Sequence, residues 1–254
     1  SSVTRREKSQ SARPPFSTDT LFQATGSRWG WSPNKTAALA GKLYELGHLT
    51  YIRTDSTRLA NEAVEAGRSL ISEFWGTKLL GAVTTAEAGA GVQDAHEAIR
   101  PTNFQLETVP DAEPDVQKLY DLVRAGTLAS LMVPSQRVTL SLKGACEGLD
   151  LVLDGAVGWY AEPGWRRAFA ALEDPIDATP ITVETGASFE WEPGDAEHPN
   201  PVLREDATKP PARYRAHTIV RVMKEAGIGR PSTYAKTVDR LEERDYVKTE
   251  EGAL

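Results

Sequence analysis

The sequence predicts a multidomain α+β protein, and two changes of hydrophobic period predict it. From Phe16 to about Met132 apolar residues recur at helical spacing. From Val138 to about Trp191 they alternate with polar residues, as half-buried antiparallel strands do, and from about Thr218 helical spacing returns. The 254 residues suffice for one or two domains with a real core, without disulfides or structural metals.

Residues 1–15 are polar and basic and end in Pro14-Pro15, which reads as an exposed lead-in or as one strand whose partners lie further on. Ser32-Pro33 supplies an N-cap and a proline at the first helical position. Leu39, Leu43 and Leu46 sit on one face of that helix, and Gly47 is its stop. Residues 49–53 read as a short extended piece. Asp55-Ser56 is expected to cap the next helix, with Leu59, Ala63, Ala66, Leu70 and Phe74 as its apolar face. A third helix is expected over 114–130, through Val116, Leu119, Leu122 and Val123. Strands are expected through Val138, Leu140 and Leu142, through Leu149, Leu151 and Leu153, and through Ile181, Val183, Phe189 and Trp191. The Pro-rich stretch 193–211 reads as a linker or crossing segment. Helices over 218–226 and 231–244 then flank Gly227-Ile228-Gly229.

No apolar run approaches the roughly 18 residues of a membrane span, and no signal peptide is visible. The single cysteine, Cys146, excludes an internal disulfide framework and a Cys-based zinc site. A cytoplasmic location is the default expectation. The opening Ser1-Ser2-Val3, without an initiator Met, suggests a piece of a longer protein. Net charge is −7, which taken alone argues against nucleic acid. Residues 209–240, however, carry eight basic residues against only Glu225 and Asp239, while 147–208 are strongly acidic. A phosphate backbone feels the local sign, within a Debye length of about 10 Å.

Three constellations carry candidate chemistry. In Tyr51-Ile52-Arg53-Thr54-Asp55-Ser56, a tyrosine ending a strand and an arginine two residues on share a face. A phenol with a free pKa of about 10 needs cationic help to attack a phosphodiester, and Arg53 offers a fork of donors. The plainer reading is a half-buried strand tyrosine beside a surface arginine. In Ala95-His96-Glu97-Ala98-Ile99-Arg100-Pro101, the crowded His, Glu and Arg suit phosphate binding and proton transfer; the plainer reading is a capped turn with one exposed ion pair. His48, His198 and His217 have no ligand-like spacing with His96, so no metal site is read from histidines. In Gly227-Ile228-Gly229-Arg230-Pro231-Ser232-Thr233-Tyr234, two glycines lead to a helix N-terminus bearing a guanidinium and two hydroxyls, a ready phosphate cradle. Helix, glycine turn, helix and then Tyr246-Val247 also describes a winged-helix DNA reader.

Taken together and in this order, the motifs resemble those of a type IA DNA topoisomerase, the bacterial topoisomerase I group in particular. The resemblance runs through residues 14–21, Lys42-Leu43-Tyr44-Glu45-Leu46-Gly47, the Tyr51 to Thr57 motif, Asp94 to Thr102, and Lys209-Pro210-Pro211-Ala212-Arg213-Tyr214 to Tyr234. The topoisomerase half of reverse gyrase has similar blocks. A non-catalytic DNA-binding module with a winged-helix-like end, in which Tyr51 is structural, is the alternative from another class.

The resemblance implies a fragment of a toroid: a helical domain carrying the catalytic tyrosine at 17–133, an antiparallel β arch built from a lead-in strand at 1–16 and from 134–208, and part of a helical DNA-binding base domain at 209–254. It implies that Tyr51 is the nucleophile of a 5′-phosphotyrosine intermediate. One DNA strand is cut and rejoined, and negatively supercoiled DNA relaxes without ATP. Arg53 is then expected to hold the scissile phosphate, His96 to support phosphate and tyrosine, and Glu45 to orient neighbours. Arg230, Ser232, Thr233, Arg100 and Arg213 are expected among the contacts to single-stranded DNA. Trp29 and Trp31 are candidate stacking platforms, with core packing the favoured reading. The family needs Mg²⁺, bound by an Asp-x-Asp-x-x-Gly-Glu cluster in an N-terminal TOPRIM domain; this sequence has no such cluster, so TOPRIM is an expected partner and residues 1–254 alone are not expected to relax DNA. Nucleoid association and no membrane follow. Zinc-ribbon or basic C-terminal tails are absent from the sequence. Arg215-Ala216 stands where the family has a hydroxyl residue and then Glu, so the usual helix cap is not expected there.

Overall fold

The computed structural model describes residues 2–82, 96–145, 152–172, 180–188, 194–195, 207–250 and 252–254. Among them are strand β1 (Ser2–Gln10), helices α1 (Thr18–Trp29), α2 (Pro33–Glu45), α3 (Asn61–Trp75) and α4 (Pro114–Ser130), strands β2 (Ser135–Ala145) and β3 (Val152–Glu162), and helices α5 (Ala216–Glu225) and α6 (Tyr234–Glu243). The expected α+β content is present, with a small antiparallel sheet.

The lead-in is indeed a strand. β1 pairs with β2 from Ser2↔Lys143 to Gln10↔Ser135, and β2 pairs with β3 through Val138↔Trp159 and Leu140↔Val157. Val138, Leu140 and Trp159 bury one face of this ribbon, with Val3 and Val157 against them. A further strand through Ile181 and Val183 does not form: Ile181 is exposed and the chain turns at Glu184–Ala187. With no neighbouring strand among the described residues to take its ladder, alternation there stays local. Leu149, Leu151, Phe189 and Trp191 lie outside the described residues, while Leu153 falls within β3.

The main core joins α1, α2 and α4 through Leu21, Leu43, Leu119, Leu122 and Tyr120, with Ile99 threaded between them. Tyr120 is fully buried, and its hydroxyl is shared between the carbonyls of Leu106 (2.9 Å) and Asn103 (3.0 Å). Burial pushes its pKa up to about 12. Trp31 belongs to this core and Trp29 packs against it, under Lys35 and Lys118; both tryptophans are therefore packing residues rather than stacking platforms. α2 begins as expected, its Lys35 amide donating to Ser32 Oγ (3.1 Å). It ends at Leu46, which is exposed, and Gly47 takes the left-handed φ of 76° that turns the chain away.

Two boundaries differ from expectation. α3 starts at Asn61, with Ala60 and not Asp55-Ser56 at its N-cap. The hydroxyls of Thr54 and Ser56 instead accept from the amides of Ser56 and Arg58, holding the chain in successive local turns. Its buried face is Ala63, Gly67, Leu70 and Ile71, while Ala66 and Phe74 are exposed. Gly67 shifts that face, because Leu131 fills the space where a side chain would be. α6 starts at Tyr234 rather than Pro231: residues 231–233 form a turn closed by the Arg230 amide on Thr233 Oγ1 (2.9 Å).

The sheet is tied to the helices where residues 164–169 form a 3-10 turn against α4. Trp165 donates its indole N–H to Gln10 O (2.8 Å) and its backbone N–H to Val133 O (3.0 Å). Gly164 makes this possible: its φ is 54°, and a Cβ there would stand 2.4 Å from Pro134 O. Gly164→Ala is expected to cost about 2–4 kcal/mol from combined strain and overpacking. Urea unfolding should show it as a lower midpoint at unchanged m.

Candidate active site

Tyr51 stands just beyond the C-terminus of α2. The expected strand at 49–53 shrinks to one bridge, Leu49↔Pro101, with the Thr50 amide on Arg100 O (2.9 Å). Proline has no N–H to extend the ladder, and the next residues turn toward α1 instead. Thr18 Oγ1 donates to Ile52 O (2.7 Å) and accepts from the Thr54 amide (2.9 Å). With the chain bent at Ile52–Arg53, the two-residue spacing does not put Tyr51 and Arg53 on one strand face. Both are exposed.

The Tyr51 ring is 41% exposed and stacks on His96 at 5.8 Å, with 26° between the planes. Tyr44, also exposed, meets Tyr51 edge-on at 5.6 Å. Tyr44 was not singled out from the sequence. Its signal was its place seven residues before Tyr51, across a helix stop that folds the chain back. Glu45 is exposed at the end of α2.

His96 is held by the segment behind it. Arg100 turns inward and forks onto Glu97, Nε to Oε2 at 2.8 Å and Nη2 to Oε1 at 2.9 Å, while Nη1 donates to Pro101 O. Arg100 is 9% exposed. The guanidinium expected to contact DNA is thus engaged inside the protein in this structure, where it braces the loop. The ion pair of the plainer reading exists, but it is largely buried.

The third motif reaches the site from the far end of the chain. Arg53, Ile52, Pro231, Ser232 and Lys236 line one cavity between α1, α2 and α6. Arg230 is exposed, with Nη1 on Gly229 O (2.7 Å). The Thr233 hydroxyl closes the turn before α6. Arg213 is exposed and lies 3.6 Å from Glu250. Beyond α6, one bridge, Glu250↔Ala253, is the strand-like pairing among the described residues, so no two-stranded wing is built there.

The docking of α5 and α6 onto α1 carries this assembly. Phe22, Val220, Met223, Tyr234 and Val238 form its apolar seam. Asp19, buried in the first turn of α1, accepts from Lys224 Nζ (2.7 Å) and Ser17 Oγ (2.7 Å). At the start of α5 half of a capping box survives: Thr218 Oγ1 accepts from the Arg215 amide (2.8 Å), and the guanidinium cannot return an acceptor. Burial, and next Asp19, raise the Tyr234 pKa, so this phenol stays protonated. No three His, Cys, Asp or Glu side chains converge as a metal-ligand set among the described residues. Arg53, His96, Tyr44 and Ser232 are among the basic groups and hydroxyls near Tyr51 or lining the cavity between α1, α2 and α6.

Comparison with known proteins shows the family. The DNA topoisomerase family matches residues 1–254. DNA topoisomerase 1 of Escherichia coli (strain K12) is 36% identical over 255 residues, covering 97% of this chain and 28% of its own length. DNA topoisomerase 1 of Thermotoga maritima is 37% identical over 253 residues, covering 94% of this chain and 38% of its own. The structure of full-length topoisomerase I from Thermotoga maritima superposes with a TM-score of 0.74 at 32% identity, over 99% of this chain and 41% of that one. The chain therefore spans well under half the length of these relatives.

His217, on α5, packs against Gly26 of α1 so closely that a Cβ on Gly26 would stand 2.4 Å from it. Burial, then neighbouring Arg215, holds the His217 pKa below its ordinary 6.5. The folded state disfavours the imidazolium, so this contribution is complete above the ordinary value and is lost as pH falls below it. Urea unfolding at about pH 7.5 and about pH 5.5 should show a smaller acid loss in His217→Gln than in the wild type.

Proposed function

Since this chain belongs to the DNA topoisomerase family, we propose that it is the tyrosine-bearing part of a type IA enzyme that cuts and rejoins one strand of DNA. The observation that carries the reading is the exposed Tyr51 ring, stacked on His96, with Arg53 two residues on lining a cavity together with Ser232. Tyr51 Oη bonds to phosphorus as the P–O3′ bond breaks; the phenol gives its proton to solvent and the leaving 3′ oxygen takes one from solvent, becoming a hydroxyl. Attack by that hydroxyl on the 5′-phosphotyrosine reverses each change and returns the phenol. The bond energy is retained throughout, so no ATP is needed.

Arg53 meets the charge that grows on the phosphate, an interaction stronger in the transition state than in the ground state. His96 holds the phenol ring and donates toward the phosphate, and Glu45 orients neighbours at the end of α2. Arg230, Ser232, Thr233 and Arg213 serve the single strand through backbone contacts rather than base reading. Residues 17–133 form the tyrosine domain, 1–16 with 134–208 the β arch, and 209–254 part of the base. The substrate is negatively supercoiled DNA with unpaired stretches. Mg²⁺ belongs to a TOPRIM partner domain and not to the residues around Tyr51. The location is cytoplasmic, at the nucleoid; no described helix is long and apolar enough to cross a membrane.

Tyr51→Phe should abolish covalent trapping of labelled single-stranded oligonucleotide on denaturing gels while leaving binding within about twofold, since only the phenolic oxygen is lost. Adduct at the wild-type level in that variant would refute the nucleophile. Arg53→Ala should raise the cleavage barrier by about 3–4 kcal/mol, with a much smaller loss of binding. An equal loss in both would make Arg53 a plain phosphate anchor.

A further inference from the structure

We propose that the cavity between α1, α2 and α6 takes one nucleotide of the single strand, next to the phosphate that Tyr51 attacks. The inference rests on the function proposed above and adds a binding site to it. The cavity measures about 250 Å³, smaller than the ~300–1,000 Å³ of pockets for drug-sized ligands, so it suits one ring system rather than a large molecule.

Its walls divide by chemistry. Ile52, Pro231 and Ala235, each partly exposed, give it an apolar surface suited to the face of a base, above buried Leu21, Phe22 and Ile99. Asn34 and Ser232 add hydrogen-bonding groups, Arg53 and Lys236 add positive charge, and no carboxylate is among the lining residues. An apolar surface with cations and without anions fits a base joined to its phosphate. A second copy of this acidic chain, or an acyl chain, would not need that combination. The position follows from the backbone, because Ile52 and Arg53 in the lining come directly after Tyr51.

The space is set by side-chain size on α2. Positions 37, 38 and 40 are alanine and position 41 is glycine, all facing the cavity. A Cβ added at Gly41 would meet nothing within 4 Å, so the void there is open and not filled by a neighbour. The opposite wall is α6, which packs through Tyr234 and Val238 against Phe22 and Ala37, with Lys224 of α5 bound to Asp19 beside this seam. Asn34 and Lys236 thereby acquire a role in holding the substrate strand.

The experiment is fluorescence anisotropy of labelled oligothymidylate with the 254-residue chain and two variants. Gly41→Leu adds a side chain where a Cβ meets nothing within 4 Å and replaces a poor helix former with a good one. Its thermal midpoint should be at or above that of the wild type, while its affinity falls about tenfold, the scale of one lost base contact. Lys236→Ala, at an exposed position, should reduce the slope of log K against log salt by about 0.7, one phosphate on a single strand. A folded Gly41→Leu with wild-type affinity overturns the proposal. If Gly41→Leu does not fold, an unchanged salt slope in Lys236→Ala overturns it. Failure of the wild-type chain to bind the oligonucleotide at all would refute the underlying functional reading, an outcome distinct from binding to which the cavity is indifferent.

Discussion

Ala98, Ile99 and Arg100 hydrogen-bond through their backbones to Arg58 O, Phe16 O and Thr50 Oγ1, and the Thr50 amide returns a bond to Arg100 O. These few bonds join the start of α1, the exit of α2 and the approach to α3 at one point. Ile99 is buried there to 1% exposure. Tyr51 leaves the protein surface one residue beyond Thr50, and His96 enters two residues before Ala98. The stacked pair is thus held by backbone on both sides, with few side-chain rotamers left to chance. Preorganisation of this kind is what a nucleophile needs when a misplacement of about 1 Å costs about a hundredfold in rate.

Charge inside the protein follows the same logic. The Glu97–Arg100 pair is largely buried, and Glu97 also accepts from the Ala60 amide. Breaking a buried pair by removing one partner costs about 3–5 kcal/mol, because the other charge stays behind. Asp19–Lys224 is a looser version, with Asp19 buried and Lys224 partly exposed. The first pair braces the loop under His96. The second draws α5, and with it α6 and the Gly227–Thr233 turn, onto α1. Cations that look alike in composition therefore divide into two groups: Arg100 and Lys224 hold the scaffold, while Arg53, Arg230 and Lys236 face outward.

The sheet stands apart from this chemistry. Its three strands bury only a small face of Val138, Leu140 and Trp159. Trp165 and Gly164 tie its base to the end of α4 and to Gln10, the last residue of β1. Both ends of the helical unit therefore meet at one place, the start of α1 and the end of α4, from which the ribbon extends.

Much of the architecture was legible in the sequence. Ser32-Pro33, the period of α4 and the alternation of β2 are local signals, because capping and periodicity depend on residues within a turn or two of one another. The order of motifs likewise sufficed to assign the family, since each motif is a short contiguous run. The start of α3 differs from the sequence expectation because Thr54 and Ser56 satisfy their neighbours' amides, a choice between two uses of the same hydroxyls that only packing decides. Distance along the chain explains the rest. Whether Arg100 faces phosphate or Glu97, whether Trp31 stacks on a base or fills a core, and whether the alanines of α2 pack closely or leave a cavity are all set by partners 3 to 200 residues away. A sequence states which groups can bond; the folded chain decides which of them meet, because burial leaves each polar group one affordable partner and brings it there through contacts that no local pattern encodes.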